Sequence, residues 1–250
     1  MDKSEILKKA EILMRMYKEG LLGGEIMPED NNPGLPKDSK ENFLYFTLPM
    51  ALNYQRNSYT LWESAVKTYA DKDTRFVFSP EIVVNKSFEE IQSALVKYKI
   101  ALQKDKQTQI WIKLCHTITD FFGGDIRNLF IQFDNDGKMI KEFIQIKSKK
   151  DFPYLSGIKI CNYWLYVITQ YTDLKYKNME YLTVAPDTHV VKATHRLGLI
   201  DDIELNASNV QEIVIAVWND LFKDTPYIPI DIHTALWLWS RNGFIDLYQI

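Results

Sequence analysis

Apolar positions recur three and four residues apart along most of the chain. Over residues 4–19, Ile6, Leu7, Ala10, Leu13, Met14 and Tyr17 fall on one helical face, and Gly20, Gly23 and Gly24 end the pattern. The stretch "MPEDNNPGLPKDSK" that follows holds three prolines and many turn formers, so a loop is expected there. The segment "ALNYQRNSYTLWESAVKTYA" reads as helix, whereas "RFVFSPEIVVNKS" is the best candidate for extended chain, with a proline in its middle. Ser87 and Glu90 have the spacing of a capping box, opening a helix that carries Phe88, Ile91, Leu95 and Tyr98. Helical periodicity returns over 108–122, stopped by Gly123-Gly124, and again over 138–146, 158–170, 190–197, 208–222 and 233–242. About ten helices with short connections and almost no strand predict an all-α fold.

The chain has 250 residues, 46% of them hydrophobic, enough for one large domain or two intimately packed ones. No apolar run approaches the ~20 residues that span a bilayer. The amphipathic, doubly charged N-terminal segment lacks the apolar stretch of a secretory signal. A cytoplasmic protein with no membrane partner is therefore expected. Cys115 and Cys161 have no metal-ligand spacing and read as buried, inert thiols. His189 and His195 lie six apart, and four scattered histidines form no ligand pair, so neither metal nor cofactor is expected. The net charge of −3 shows no overall basic excess of the kind phosphate binding favours. It leaves room for a local basic face, because charges can segregate.

Two segments carry candidate chemistry. In "DFPYLSGIKICNYWLYVITQY" the Ser156-Gly157 turn separates two helical patterns. The backbone N–H groups of Ser156, Gly157 and Ile158, at the start of the second helix, suit a phosphate. A plain corner in an all-α core would have the same pattern. In "YLTVAPDTHVVKATHRLGL", Pro186 ends an apolar run and leaves Asp187 at the mouth of a helix. Asp187 is an N-cap in one reading. In the other, the positive helix end keeps its carboxylate ionised for catalysis. Lys192 and Arg196 share a face of that helix and can meet phosphates or water.

In combination, "PYLSGIK" and "APDTHVVKATHRLGL" resemble the hairpin and the acidic segment of the helix-hairpin-helix (HhH-GPD) DNA glycosylase superfamily. "DFFGGDI" and "PIDIHTALWLWSRNG" fall where that family has comparable helices, so the resemblance covers roughly 44–243. It implies two packed helical subdomains within a single 1–250 domain. The helices of 1–80 would pack with the C-terminal part, the hairpin would lie at about 150–170, and an active-site cleft would lie between the subdomains. It also implies that Asp187 is the catalytic carboxylate. Such a group stabilises the oxocarbenium-like sugar and steers the attacking water or amine. Bifunctional members use a hairpin lysine as Schiff-base nucleophile. Here that lysine is Lys159, although at the usual spacing the sequence has Cys161. Either Lys159 serves in a shorter hairpin, or water attacks. "NYQRNSYTLW" is similar to a segment of the archaeal 8-oxoguanine glycosylase branch.

Base recognition needs stacking surfaces and a few hydrogen-bonding groups. Gln55, Trp62, His233 and Trp237 are the candidates, the last two sharing one helical face. The expected function is a monomeric DNA N-glycosylase of base excision repair acting on damaged duplex DNA. 8-Oxoguanine is the leading substrate, with AP lyase activity as a further expectation. One alternative is an N-glycosidase of a free modified nucleotide of the queuosine-monophosphate type, which would not need a basic face. The other is a non-catalytic nucleic-acid-binding helical protein.

Overall fold

Why this chain is helical is visible at the helix ends. Asp2, Ser39, Asn57, Ser87, Asp136, Asp187 and Asp201 each accept a backbone N–H of the turn they open. At Ser87 the capping box is complete, since Glu90 reaches back to the Ser87 N–H. Gly123 and Gly198 close their helices in the left-handed conformation, at φ of 63° and 81°.

The structure, a computed structural model, describes every residue except 1, 24–26 and 248–250. The expected stop signal at Gly24 lies outside the described residues. Thirteen α-helices are present among those residues: α1 (Lys3–Lys18), α2 (Lys40–Thr47), α3 (Ser58–Ala70), α4 (Pro80–Val83) and α5 (Phe88–Lys97) come first. Then follow α6 (Lys104–Phe122), α7 (Arg127–Gln132), α8 (Gly137–Glu142) and α9 (Ile158–Tyr171). The last are α10 (Thr188–Leu197), α11 (Asp202–Leu205), α12 (Val210–Phe222) and α13 (His233–Arg241). A π-helical turn, Phe143–Lys147, extends α8. An isolated bridge joins Asp136 and Lys177, and no strand occurs among the described residues. The fold is all-α.

Two compact units result: Met1–Ile26 with Met179–Ile250, and Met27–Asn178. In the first, α13 packs along α10 and α1. Ile6, Leu13, Val190, Leu197, Trp218 and Leu236 are buried there. Trp218 Nε1 satisfies itself on Thr194 Oγ1 at 2.9 Å. In the second unit the core is aromatic. Tyr45, Phe46, Trp62, Phe78, Trp111 and Trp164 are all buried. Tyr45 stacks on Phe78, Trp111 donates to the Val77 carbonyl at 2.8 Å, and Trp164 donates to Thr47 at 3.0 Å.

Two local expectations are corrected. The segment expected to be extended forms a 3-10 turn, Arg75–Phe78, followed by α4. Pro80 fixes φ at the first helical position, and Val77, Phe78 and Val83 are buried without any strand to pair with. The helix expected to run from Ala51 starts only at Ser58. Ser58 bonds to the Asn53 side chain at 2.9 Å and Asn57 caps α3, so local side-chain bonds displace helical ones. Gln55 sits in the intervening turn at φ 50°.

Candidate functional site

Asp187 owes its position to a buried approach. Leu182, Thr183, Val184, Ala185 and Pro186 are all buried and deliver the chain to the start of α10. The Ala185 N–H donates to His233 Nδ1 at 3.3 Å. His233 is buried, and accepting at Nδ1 fixes it as the neutral tautomer protonated at Nε2. It therefore holds the stretch of chain that carries Asp187. The Asp187 carboxylate then accepts both the His189 and the Val190 N–H groups on Oδ1, at 2.9 Å each. Its Oδ2 accepts no hydrogen bond from the described residues, and the side chain is half-buried. One oxygen is tied to the helix and the other is not.

The α10–α13 contact gathers further groups around this cap. The His189 ring meets Trp237 edge to face, with centroids 5.6 Å apart, and His189 Nδ1 lies 3.2 Å from Ser240 Oγ. The Arg241 guanidinium lies 5.2 Å from the Trp237 ring centre. His233, Trp237 and Ser240 share the face of α13 turned to α10, as their spacing predicts. The structure thus brings together Asp187, His233 and Trp237 of the expected site and adds His189, Ser240 and Arg241. Lys192 is exposed on α10 and has no ion-pair partner among the described residues.

The hairpin belongs to the other unit. Tight turns close it: Ser156 N–H donates to the Phe152 carbonyl at 2.9 Å and Gly157 N–H to the Tyr154 carbonyl at 3.0 Å. A Cβ at Gly157 would lie 3.1 Å from the Tyr154 carbonyl oxygen, a tight contact that a larger residue would relieve only by shifting the turn. Ser156 is buried, and its hydroxyl donates back to the Lys149 carbonyl. Gly157 opens α9 with no side-chain cap, leaving the first-turn N–H groups, beginning at Ile158, for an external acceptor. Lys159 is half-buried in that first turn and has no ion-pair partner among the described residues. Cys161, at the spacing where the glycosylase motif has its lysine, is fully buried, and burial pushes its thiol up to about 12. It is inert as a nucleophile.

Lysines surround this hairpin. From Lys138 to Lys159 the chain holds six of them against two acids, Glu142 and Asp151. Both acids are already paired, Glu142 with Lys147 and Asp151 with Lys113. Lys149 and Lys150 are exposed and have no ion-pair partner among the described residues. On α8, burial lowers the pKa of Lys141, which lies beside Cys161. The run "KSKK" was readable in the sequence; the pairing of its acidic neighbours was not.

The remaining candidates fall elsewhere in this unit. Gln55 is exposed in its turn. Trp62 is fully buried between Tyr45 and Phe46, with centroids 5.7 and 5.6 Å away. Near it lies a residue no sequence pattern singled out, Glu29, which is completely buried. Tyr163 donates to Glu29 Oε2 at 2.9 Å, and the Trp62 indole N–H lies near enough to the same carboxyl group to favour its charged form. Burial drives the Glu29 pKa up to about 7, against the opposing pull of its hydrogen bonds. Among the described residues no cluster of histidine, cysteine or carboxylate side chains could hold a metal ion, and no helix is long and apolar enough to cross a membrane. No family model matches the chain, and no curated protein is detectably similar to it.

Proposed function

We propose that this protein is a DNA N-glycosylase of base excision repair. The observation that carries it is the Asp187 carboxylate, anchored through Oδ1 by two backbone N–H groups with Oδ2 uncommitted. In the proposed reaction the bond between the sugar C1′ and the base nitrogen breaks, and the electron pair leaves with the base, which takes up a proton. Positive charge develops on the sugar, and Oδ2 stabilises it. Water adds at C1′ and yields its proton to Asp187; or an amine adds in its place and yields a proton to Asp187, after which the C1′–O4′ bond of the sugar breaks, O4′ takes up a proton, and C1′ is left as a protonated imine. The uncapped start of α9 and the unpaired Lys149 and Lys150 suit a phosphodiester. That concentration of lysine in an acidic chain favours a polymer over a free nucleotide as substrate.

The test is incubation with oligonucleotides bearing single damaged bases, 8-oxoguanine first, with and without borohydride. Asp187→Asn keeps a capping side chain but loses the charge, and should lower base release by about a hundredfold or more. Retained release in Asp187→Asn would refute the assignment. A borohydride adduct lost in Lys159→Ala establishes that lysine as the nucleophile. An adduct that survives in Lys159→Ala and disappears in Lys141→Ala transfers the role to the buried amine of α8.

A further inference from the structure

The tip of the hairpin carries a tyrosine where the backbone favours glycine. Tyr154 has φ 61°, a left-handed conformation that is strained for a residue with a bulky side chain. The residue is 36% exposed. It stacks face to face on Tyr54, with centroids 4.0 Å apart and planes 9° from parallel. The Lys106 ammonium lies 5.5 Å from the Tyr54 centroid and 5.1 Å from that of Tyr154. Those near-equal distances put the charge at the rim of the stacked pair, off both outer faces. One face of Tyr154 is therefore covered by Tyr54 and its edge carries a cation, while no second ring stacks on its other face among the described residues.

The surroundings are basic. Lys106 and Lys113 lie seven residues apart on α6, along one face. Lys113 meets the hairpin through Asp151, and the backbone of Lys149 is bonded to Ser156, two residues from Tyr154. Lys149 and Lys150, beside that bond in the chain, are both exposed.

We infer that the Tyr154–Tyr54 pair, with Lys106 at its rim, is a stacking platform for an unpaired nucleobase of a single-stranded or bulged nucleic acid. Lys106, Lys149 and Lys150 take the phosphates on either side of that base. An aromatic face stacks on any base, and adjacent ammonium groups follow the backbone, so the surface is tolerant of sequence. It goes beyond the glycosylase proposal, and its test is binding, not base release. A wild-type protein that binds strands but releases no damaged base would count against the glycosylase and leave the platform standing.

The experiment is fluorescence anisotropy of the whole chain with a labelled oligothymidine, a duplex carrying one bulged base, and the same duplex fully paired. Tyr154→Gly removes the ring at a position whose φ suits glycine, so the variant should melt no lower than the parent. It should bind the single strand and the bulged duplex at least 5-fold more weakly and the paired duplex nearly unchanged. Lys106→Gln should shallow the salt dependence of single-strand binding by about 0.7 in log–log slope, the share of one neutralised phosphate. Equal affinities of Tyr154→Gly and parent for all three ligands would overturn the proposal. So would an equal loss on all three, which would make the hairpin a plain backbone contact. Concentration-dependent sedimentation of the parent that vanishes in Tyr154→Gly, with binding intact, would reassign the surface to self-association.

Discussion

Two helix N-termini in this protein are built to opposite electrostatic ends. At the start of α10 the chain supplies its own anion: Asp187 accepts two N–H groups, and the positive helix end is answered from within. At the start of α9 Gly157 supplies none, and the nearby free charges are lysines. The first end presents a carboxylate oxygen to whatever approaches. The second presents N–H donors and positive charge. The same local device, a helix start, thus carries its own negative charge in one unit and is left without one in the other. The choice turns on whether the residue before the helix is aspartate or glycine.

Changes at Asp187 should break that comparison most strongly. Asp187→Asn should melt close to the parent while losing about a hundredfold in base release, because capping survives and charge does not. Asp187→Ala should lose both, and thermal denaturation should show about 1 kcal/mol of destabilisation that the asparagine lacks. If the two variants melt and react alike, cap and charge are not separable there.

Glu29 sharpens the contrast between the two carboxyl groups. Unlike Asp187 it is fully buried, and its pKa of about 7 makes the neutral form the one the fold prefers. In the unfolded chain the same group ionises near its ordinary value of 4.5. Its favourable contribution is therefore complete below about 4.5, falls as the pH rises, and is gone above about 7. Glu29→Gln cannot ionise, so its stability relative to the parent should climb across that window, to about 3 kcal/mol, and then level off. Denaturant melts at pH 4, 6 and 8 measure this, and a difference independent of pH would show that Glu29 does not titrate as its burial dictates.

The smallest expected effect concerns the receptor end. Replacing Lys149 and Lys150 by glutamine should weaken duplex binding several-fold and lower the log–log salt slope by about 0.9 for each phosphate that is no longer neutralised. Unchanged slopes would remove the hairpin lysines from the binding surface.

Much of the local structure was legible. The helical periods of α6, α9, α12 and α13 predicted their extents to within a few residues. The Pro-Asp-Thr-His step announced the cap of α10, because an N-cap is a contact among neighbours in sequence. Trp237 and His233 were correctly placed on one face for the same reason. The aromatic candidates, however, parted company: Trp62 lies wholly within the core of one unit, whereas Trp237 packs beside the His189 ring in the other. Periodicity orients a side chain on its own helix and says nothing of what that face meets.

Fold class, most helix limits and the residue that caps α10 were settled by the order of the amino acids alone, since each depends on interactions spanning four residues or fewer. Packing between distant segments supplied the rest. A glutamate in a proline-rich loop became a buried acid only because Tyr163, more than a hundred residues later, folds against it. The histidine that steadies the approach to Asp187 comes from α13, and Tyr154 found its stacking partner one hundred residues earlier in Tyr54. Burial and charge are sums over neighbours brought from far along the chain, and no local pattern contains those neighbours.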